Sequence, residues 1–165
     1  MSVGAHQPFD TLVDVLHHRA QQHPEALAYR FLPAGEIEEP AVTRSYGELA
    51  ERARALGARL QAEARPGDRV LLLYPPGLDY LEGFFGCLFG GVVPVPAYPP
   101  DLSRIERSMP RLGAILSDCQ CQLVLTTRAL HAVAESLFPL SPQLAALRWL
   151  ATDDVPTAAA ADWRA

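Results

Sequence analysis

Lysine and asparagine are both missing from this chain, and all fourteen of its basic residues are arginine. We read that bias as GC-rich bacterial coding. Cysteine is scarce: Cys87, Cys119 and Cys121 are the three, an odd number that fits a reducing compartment better than a disulfide-stapled secreted fold. Cys119 and Cys121 have one residue between them, so they do not form the CxxC pair of zinc and redox sites. Packing is the expected role of all three. Basic charge is not in excess. The net charge is −5, which leaves no electrostatic footprint for nucleic acid or an anionic membrane. Long hydrophobic runs are lacking too. The most apolar stretch, around residues 84–97, is too short and too rich in proline to span a bilayer. Residues 1–8 carry no positive charge ahead of an apolar run, so no secretory signal is read there. Together these absences predict a cytoplasmic protein.

What is present is the composition of a folded domain. Of 165 residues, 49% are hydrophobic and 20% are charged, enough apolar material for one domain with a core. Residues 11–23 place Leu12, Val13, Leu16 and Ala20 on one helical face. Residues 26–33 and 41–45 read as the strands of a hairpin around a turn over 34–40. In SYGEL, Ser45 and Glu48 have the spacing of a capping box. The helix that follows presents Leu49, Ala53, Leu56 and Leu60 on one face. RVLLLY (69–74) is a continuous apolar run, as in strands buried on both faces of a parallel sheet. A helix over 75–91 starts after its prolines and stops at glycine, and a short strand over 92–95 follows. Residues 103–118 read as a helix kinked or restarted at Pro110. A second buried strand spans 122–127, a helix 128–137, a short helix 141–148 and a last strand 148–152. From Asp153 onward no hydrophobic period remains, and the chain reads as loop. Strands alternating with helices predict an α/β fold with a mostly parallel sheet flanked by helices.

Such folds commonly bind nucleotides, yet neither GxGxxG nor GxxxxGK[ST] occurs. The turn after RVLLLY is PPG, and two prolines remove two of the N–H donors that a phosphate cradle uses. GxSxG is also absent, which removes the α/β-hydrolase nucleophile. His17 and His18 point about 100° apart on a helix and cannot easily share a metal. His131 reads as an exposed or partly packed helix position. Asp153 and Asp154 are two adjacent acids in a loop, a weak cation signal.

Two segments carry a resemblance: RSYGELAERARALGARLQ (44–61) and GDRVLLLYPPGLDYLEGFFGCLFGGVVPVPAYPPD (67–101). They resemble the start of the adenylate-forming superfamily of acyl-CoA synthetases, luciferase and peptide-synthetase adenylation domains. Ser45, Tyr46, Gly47, Glu48 and Leu49 are similar to its first core motif. The stretch containing Gly90, Gly91, Pro94, Pro96, Tyr98, Pro99 and Pro100 is similar to its second. VPAYPPD, then RLGAILSD and LVLTT, are similar to the fatty acyl-AMP ligases. The resemblance implies part of the N-terminal subdomain of an adenylate-forming enzyme. The parent would use ATP and Mg²⁺ to activate a fatty acid. It would pass the acyl group to an acyl carrier protein, often of a polyketide or peptide assembly line, in place of coenzyme A.

In that family the phosphate loop, the acyl pocket, the nucleotide contacts, the metal-binding glutamate and the catalytic lysine come later in the chain. No catalytic, cofactor-binding or metal-binding residue is therefore assigned here, and these 165 residues are expected to be inactive alone. The corresponding division is an N-terminal tail (1–10), an incomplete AMP-binding N-terminal subdomain (11–152), and a loop or truncated end (153–165). Expected partners are the rest of the ligase chain, the carrier protein and the fatty acid. The alternatives are a non-catalytic binding or scaffold module and a fragment of an acyl-CoA synthetase. The proline-rich stretch is expected to be a strand cut short by its prolines. It leads into a stiff loop anchored by Tyr98, which shapes the layer or lines a groove where the missing parts dock or the carrier arm enters.

Overall fold

The computed structural model describes residues 9–37 and 40–165. Most of the tail read over 1–10, and residues 38 and 39 of the turn read over 34–40, lie outside the described residues. The chain begins with α1 (Leu12–Gln22), β1 (Leu27–Phe31), β2 (Val42–Ser45) and α2 (Tyr46–Glu63). Then come β3 (Arg69–Leu73), α3 (Leu78–Phe89), β4 (Val93–Ala97), α4 (Ile105–Cys119) and β5 (Leu123–Thr126). It closes with α5 (Arg128–Glu135), α6 (Pro142–Ala145) and β6 (Arg148–Ala151). β1 and β2 form the antiparallel hairpin. The other four strands make a parallel sheet in the order β4-β3-β5-β6, so the predicted α/β architecture is the observed one.

The continuous apolar runs explain why β3 and β5 are central. Every residue from Val70 to Leu73, and from Leu123 to Thr126, is buried. Val70, Leu72, Leu123 and Leu125 face a layer of α2 and α3, where they meet Leu56, Leu60 and Cys87. Leu71, Leu73 and Val124 face the other way, onto Leu112, Leu116 and Leu144 of α4 and α6. α1 lies outside the first layer, packing Leu16 against Leu49, Ala50, Ala53 and Phe89. Within that layer α2 and α3 approach unusually closely. A Cβ on Gly86 would fall 2.6 Å from the Cβ of Leu56.

Three readings of the sequence need correction. First, β4 is not cut short by its prolines; it runs through Pro94 and Pro96 and pairs with the whole of β3. The reason is parity. The N–H of Val93 donates to Asp68 O at 2.8 Å, so odd-numbered amides face β3. Positions 94 and 96 face the open edge, where a missing N–H costs no ladder bond and blocks edge-to-edge pairing. Second, α4 continues through Pro110 without restarting. Pro110 is exposed, and the carbonyl it leaves unpaired one turn earlier can be hydrated. A short 3₁₀ turn over Leu102–Arg104 leads into this helix. Third, residues 153–165 are not structureless. They form 3₁₀ turns over Thr152–Asp154 and Thr157–Asp162. Val155 is buried, and Trp163 donates from Nε1 to Phe89 O at 2.7 Å.

Two glycine substitutions separate close packing from helix propensity. Gly86→Ala would drive a methyl into Leu56, and overpacking of this kind costs about 1–3 kcal/mol. At Gly113 in α4 the nearest atom to a new Cβ is Gln143 Oε1 at 3.7 Å. Gly113→Ala is therefore expected to stabilise by about 0.5–1 kcal/mol. Urea unfolding of both variants should give opposite signs.

Candidate functional site

In an open parallel sheet, ligands bind beyond the carboxyl ends of the strands where the connections diverge. Here the chain leaves β3 toward β4 and leaves β5 toward β6, so that point lies between the ends of β3 and β5. The segments meeting there are Tyr74, Pro75, Pro76 and Gly77 after β3, Thr126 and Thr127 at the end of β5, and Thr152 after β6. The buried Tyr74 hydroxyl donates to Thr152 Oγ1 at 3.1 Å, and that hydroxyl donates to the carbonyl of Thr126 at 3.1 Å. Desolvation by burial is the main cause that holds the Tyr74 phenol far above its ordinary range, so it stays a neutral donor. The Thr126 hydroxyl is buried with no hydrogen-bond partner among the described residues.

Beside this chain of hydroxyls sits a buried carboxylate. Glu82 projects from α3 and is 4% exposed. Its Oε1 accepts from Arg44 Nε at 2.7 Å and its Oε2 from Arg52 Nε at 3.1 Å. Arg52 also donates to Val155 O at 2.7 Å and Thr152 O at 2.9 Å. Two guanidiniums on one carboxylate, with the remaining donors used on carbonyls, is the arrangement in which a buried charge is tolerated. A second acid, Asp79, occupies the first turn of α3. Its carboxyl is raised above the usual range, first by desolvation and then by repulsion from Glu82 and Asp153. The amides that open α3 thus face a carboxylate of their own chain, which opposes phosphate binding at the place a nucleotide loop would use. Asp153 accepts from Arg128 N at 2.8 Å, and Asp154 pairs with the Arg128 guanidinium. These two acids therefore secure the start of α5. Among the described residues no group of three metal-ligating side chains is gathered.

The residues singled out from the sequence form joints in the layer. Ser45 Oγ accepts from Glu48 N at 3.2 Å, and Glu48 Oε2 accepts from Ser45 N at 2.8 Å, which is the capping box. Tyr46 and Gly47 donate their amides to Ala26 O and Pro24 O, so the motif docks the hairpin onto α2, with Leu49 buried beneath. Gly90 ends α3. Gly91 then takes φ +72°, a left-handed turn that a side chain would strain, and its carbonyl accepts from Gly67 N at 2.8 Å. Pro99 and Pro100 are half-buried in the turn toward α4. Tyr98 does not anchor that turn. It is 80% exposed, one residue past the end of β4, with the Arg111 guanidinium 5.9 Å from its ring centroid. His131 is partly packed, stacked on Trp149 at 5.2 Å between ring centroids.

Sequence reasoning missed the Arg44–Glu82–Arg52 group and the Tyr74–Thr152 pair. One signal for the first was available: Glu82 falls four residues after Leu78, on the face of α3 that Leu78 buries. An open groove of about 1050 Å³ lies elsewhere, between α1, α2 and residues 162–165. Gly90, Gly91 and Pro66 border it, so it lies at the amino ends of the strands, and its size does not make it the site.

A parallel α/β layer with these two joint motifs defines the class, and the comparisons define the family. Residues 16–164 match the AMP-binding enzyme family, and the chain belongs to it. The chain is 41% identical over 157 residues to the medium-chain-fatty-acid–[acyl-carrier-protein] ligase JamA of Moorena producens, covering 94% of this chain and 26% of that protein. It is 37% identical over 147 residues to the long-chain-fatty-acid–AMP ligase FadD32 of Mycobacterium marinum, covering 88% and 23%. Its structure superposes on the crystal structure of a fatty acyl-adenylate ligase from Legionella pneumophila, solved with acyl adenylate and pyrophosphate. That match has a TM-score of 0.77 and 32% identity, over 93% of this chain and 25% of the other. The resemblance to the N-terminal part of the fatty acyl-AMP ligases holds. The chain spans about a quarter of the length of these relatives.

The raised Asp79 carboxyl has a testable sign. The folded chain holds that proton more tightly than the unfolded chain. The penalty of the charged form is therefore absent below the ordinary carboxylate range and grows as pH rises through it. Asp79→Asn should improve stability more at about pH 7 than at about pH 3, relative to the parent chain. An equal change at both pH values in denaturant titrations would contradict this account of the acid cluster.

Proposed function

We propose that this chain is the N-terminal portion of an ATP-dependent fatty acyl-AMP ligase that delivers its product to an acyl carrier protein. The observation that carries the reading is the 41% identity to a carrier-protein ligase along 94% of the chain. In the parent reaction a fatty acid carboxylate attacks the α-phosphorus of ATP, forming acyl-adenylate and releasing pyrophosphate. The thiol of the carrier then attacks the acyl carbonyl and AMP leaves. Such transfer is catalysed by donors and metal ions placed around the transferring phosphorus. ATP and Mg²⁺ belong to the parent enzyme, as do the fatty acid and the carrier. The bacterial sources of the two ligase relatives and the arginine-only composition support a bacterial enzyme, and the reading extends to the cytoplasm and to polyketide or peptide biosynthesis.

The contribution of these residues is a frame. β3 and β5 are filled with apolar side chains, the PPG turn withholds amides, and Asp79 occupies the first turn of α3. Among the described residues no helix is long and apolar enough to cross a membrane.

The 165 residues alone should release no pyrophosphate from ATP and fatty acid above the rate without protein, whereas a polypeptide extended to the length of its relatives should do so in the presence of Mg²⁺. Catalysis by the short chain would overturn the frame reading. A scaffold module, the rival, would show an extended polypeptide that folds and remains inactive with every fatty acid and carrier tried.

A further inference from the structure

The two cysteines one residue apart have no part in the frame described above. Cys119 is the last residue of α4, and Cys121 precedes β5. Both are buried, at 6% and 5% exposure. Gln120 between them is exposed and takes φ 52°, ψ 35°. It is the one residue other than glycine with positive φ among the described residues. That left-handed turn returns the chain so that both side chains enter the same apolar layer, against Leu71, Leu116 and Val124. The sulfurs are 2.9 Å apart, within about 1 Å of the length of an S–S bond. Cys87 lies in the other layer, among Leu56, Leu60 and Val70 on the far side of the sheet, and cannot reach them.

We propose that Cys119 and Cys121 are a modification site: a reversible disulfide that forms within the α4–β5 junction when the chain meets a low-molecular-weight disulfide. One protein thiolate attacks the small disulfide, giving a mixed disulfide and one small thiol. The second protein thiolate attacks the protein sulfur of that mixed disulfide and releases the second small thiol. The protein gives up two electrons and two protons, and the small disulfide takes them up. The closeness of the second sulfur makes the second step effectively intramolecular. The bond closes a very short loop, so it restrains the unfolded chain little. Burial raises the Cys121 thiol to about 12, so thiolate is scarce at neutral pH and the exchange is slow.

The test uses the 165-residue chain and oxidised glutathione. Trypsin cuts after Arg111 and Arg128 and releases residues 112–128, which carry both cysteines and exclude Cys87. After oxidation this peptide should be lighter by two hydrogens and carry no glutathione. Two of the three thiols should be lost to titration in denaturant and regained after dithiothreitol. In Cys121→Ser, Cys119 should instead retain glutathione. The wild-type peptide decides the question even if that variant fails to fold. Two unmodified thiols, glutathione adducts on both cysteines, or chains cross-linked to one another would each overturn the proposal.

Discussion

One buried carboxylate holds this layer together. Glu82 takes guanidinium groups from β2 and α2, and Arg52 continues from it to the carbonyls of Thr152 and Val155. Four parts of the chain meet there: the hairpin, both helices of the first layer, and the turn after β6. Burying an ion pair is costly, and removing one partner from such a group typically costs about 3–5 kcal/mol. A polar device of that cost is explained if it selects one arrangement among many of similar apolar content. Leu- and Ala-rich faces pack in several registers, whereas a carboxylate with two fixed guanidiniums accepts one. Gly86 against Leu56 then allows the helices to close on the geometry that the ion pairs select.

The elements that were legible in the sequence are those set by local pattern. RVLLL and LVLT are apolar at successive positions, and both became strands buried on two sides. Ser45 and Glu48 lie three residues apart and close on each other. The features that escaped depend on distant partners or on direction. Glu82 meets residues 38 and 30 positions away, and no periodicity reports such a pair. The end of the chain holds by one buried Val155 and one Trp163, spaced along 3₁₀ turns that show no repeating face. The prolines of β4 were visible, but the side to which each missing amide points was not. Tyr98 looked like an anchor because prolines surround it, yet it stands in solvent just past the end of β4.

These same facts describe how this part of an AMP-binding enzyme is held together. The place where an open parallel sheet usually binds its ligand is here filled by Tyr74, Thr126 and Thr152: the Tyr74 hydroxyl is turned on that of Thr152, and the Thr152 hydroxyl on the Thr126 carbonyl. The acids beside them serve the protein. Glu82 joins elements, and Asp153 and Asp154 secure the start of α5. The two family motifs act in the same way: SYGEL fastens the hairpin to α2, and the Gly90–Gly91 turn sets β4 against β3. In this layer the recognisable residues are joints between its elements.

The claim that the polar junction is a structural clamp is tested most directly by a double-mutant cycle on Arg52 and Glu82. Unfolding free energies would be measured for Arg52→Met, Glu82→Gln and the pair. The clamp predicts that both single changes destabilise and that the double change costs less than their sum, with a coupling of at least about 1 kcal/mol. Single changes that leave stability unaltered, or effects that add within about 0.5 kcal/mol, would contradict the clamp and point to a buried carboxylate kept for another purpose.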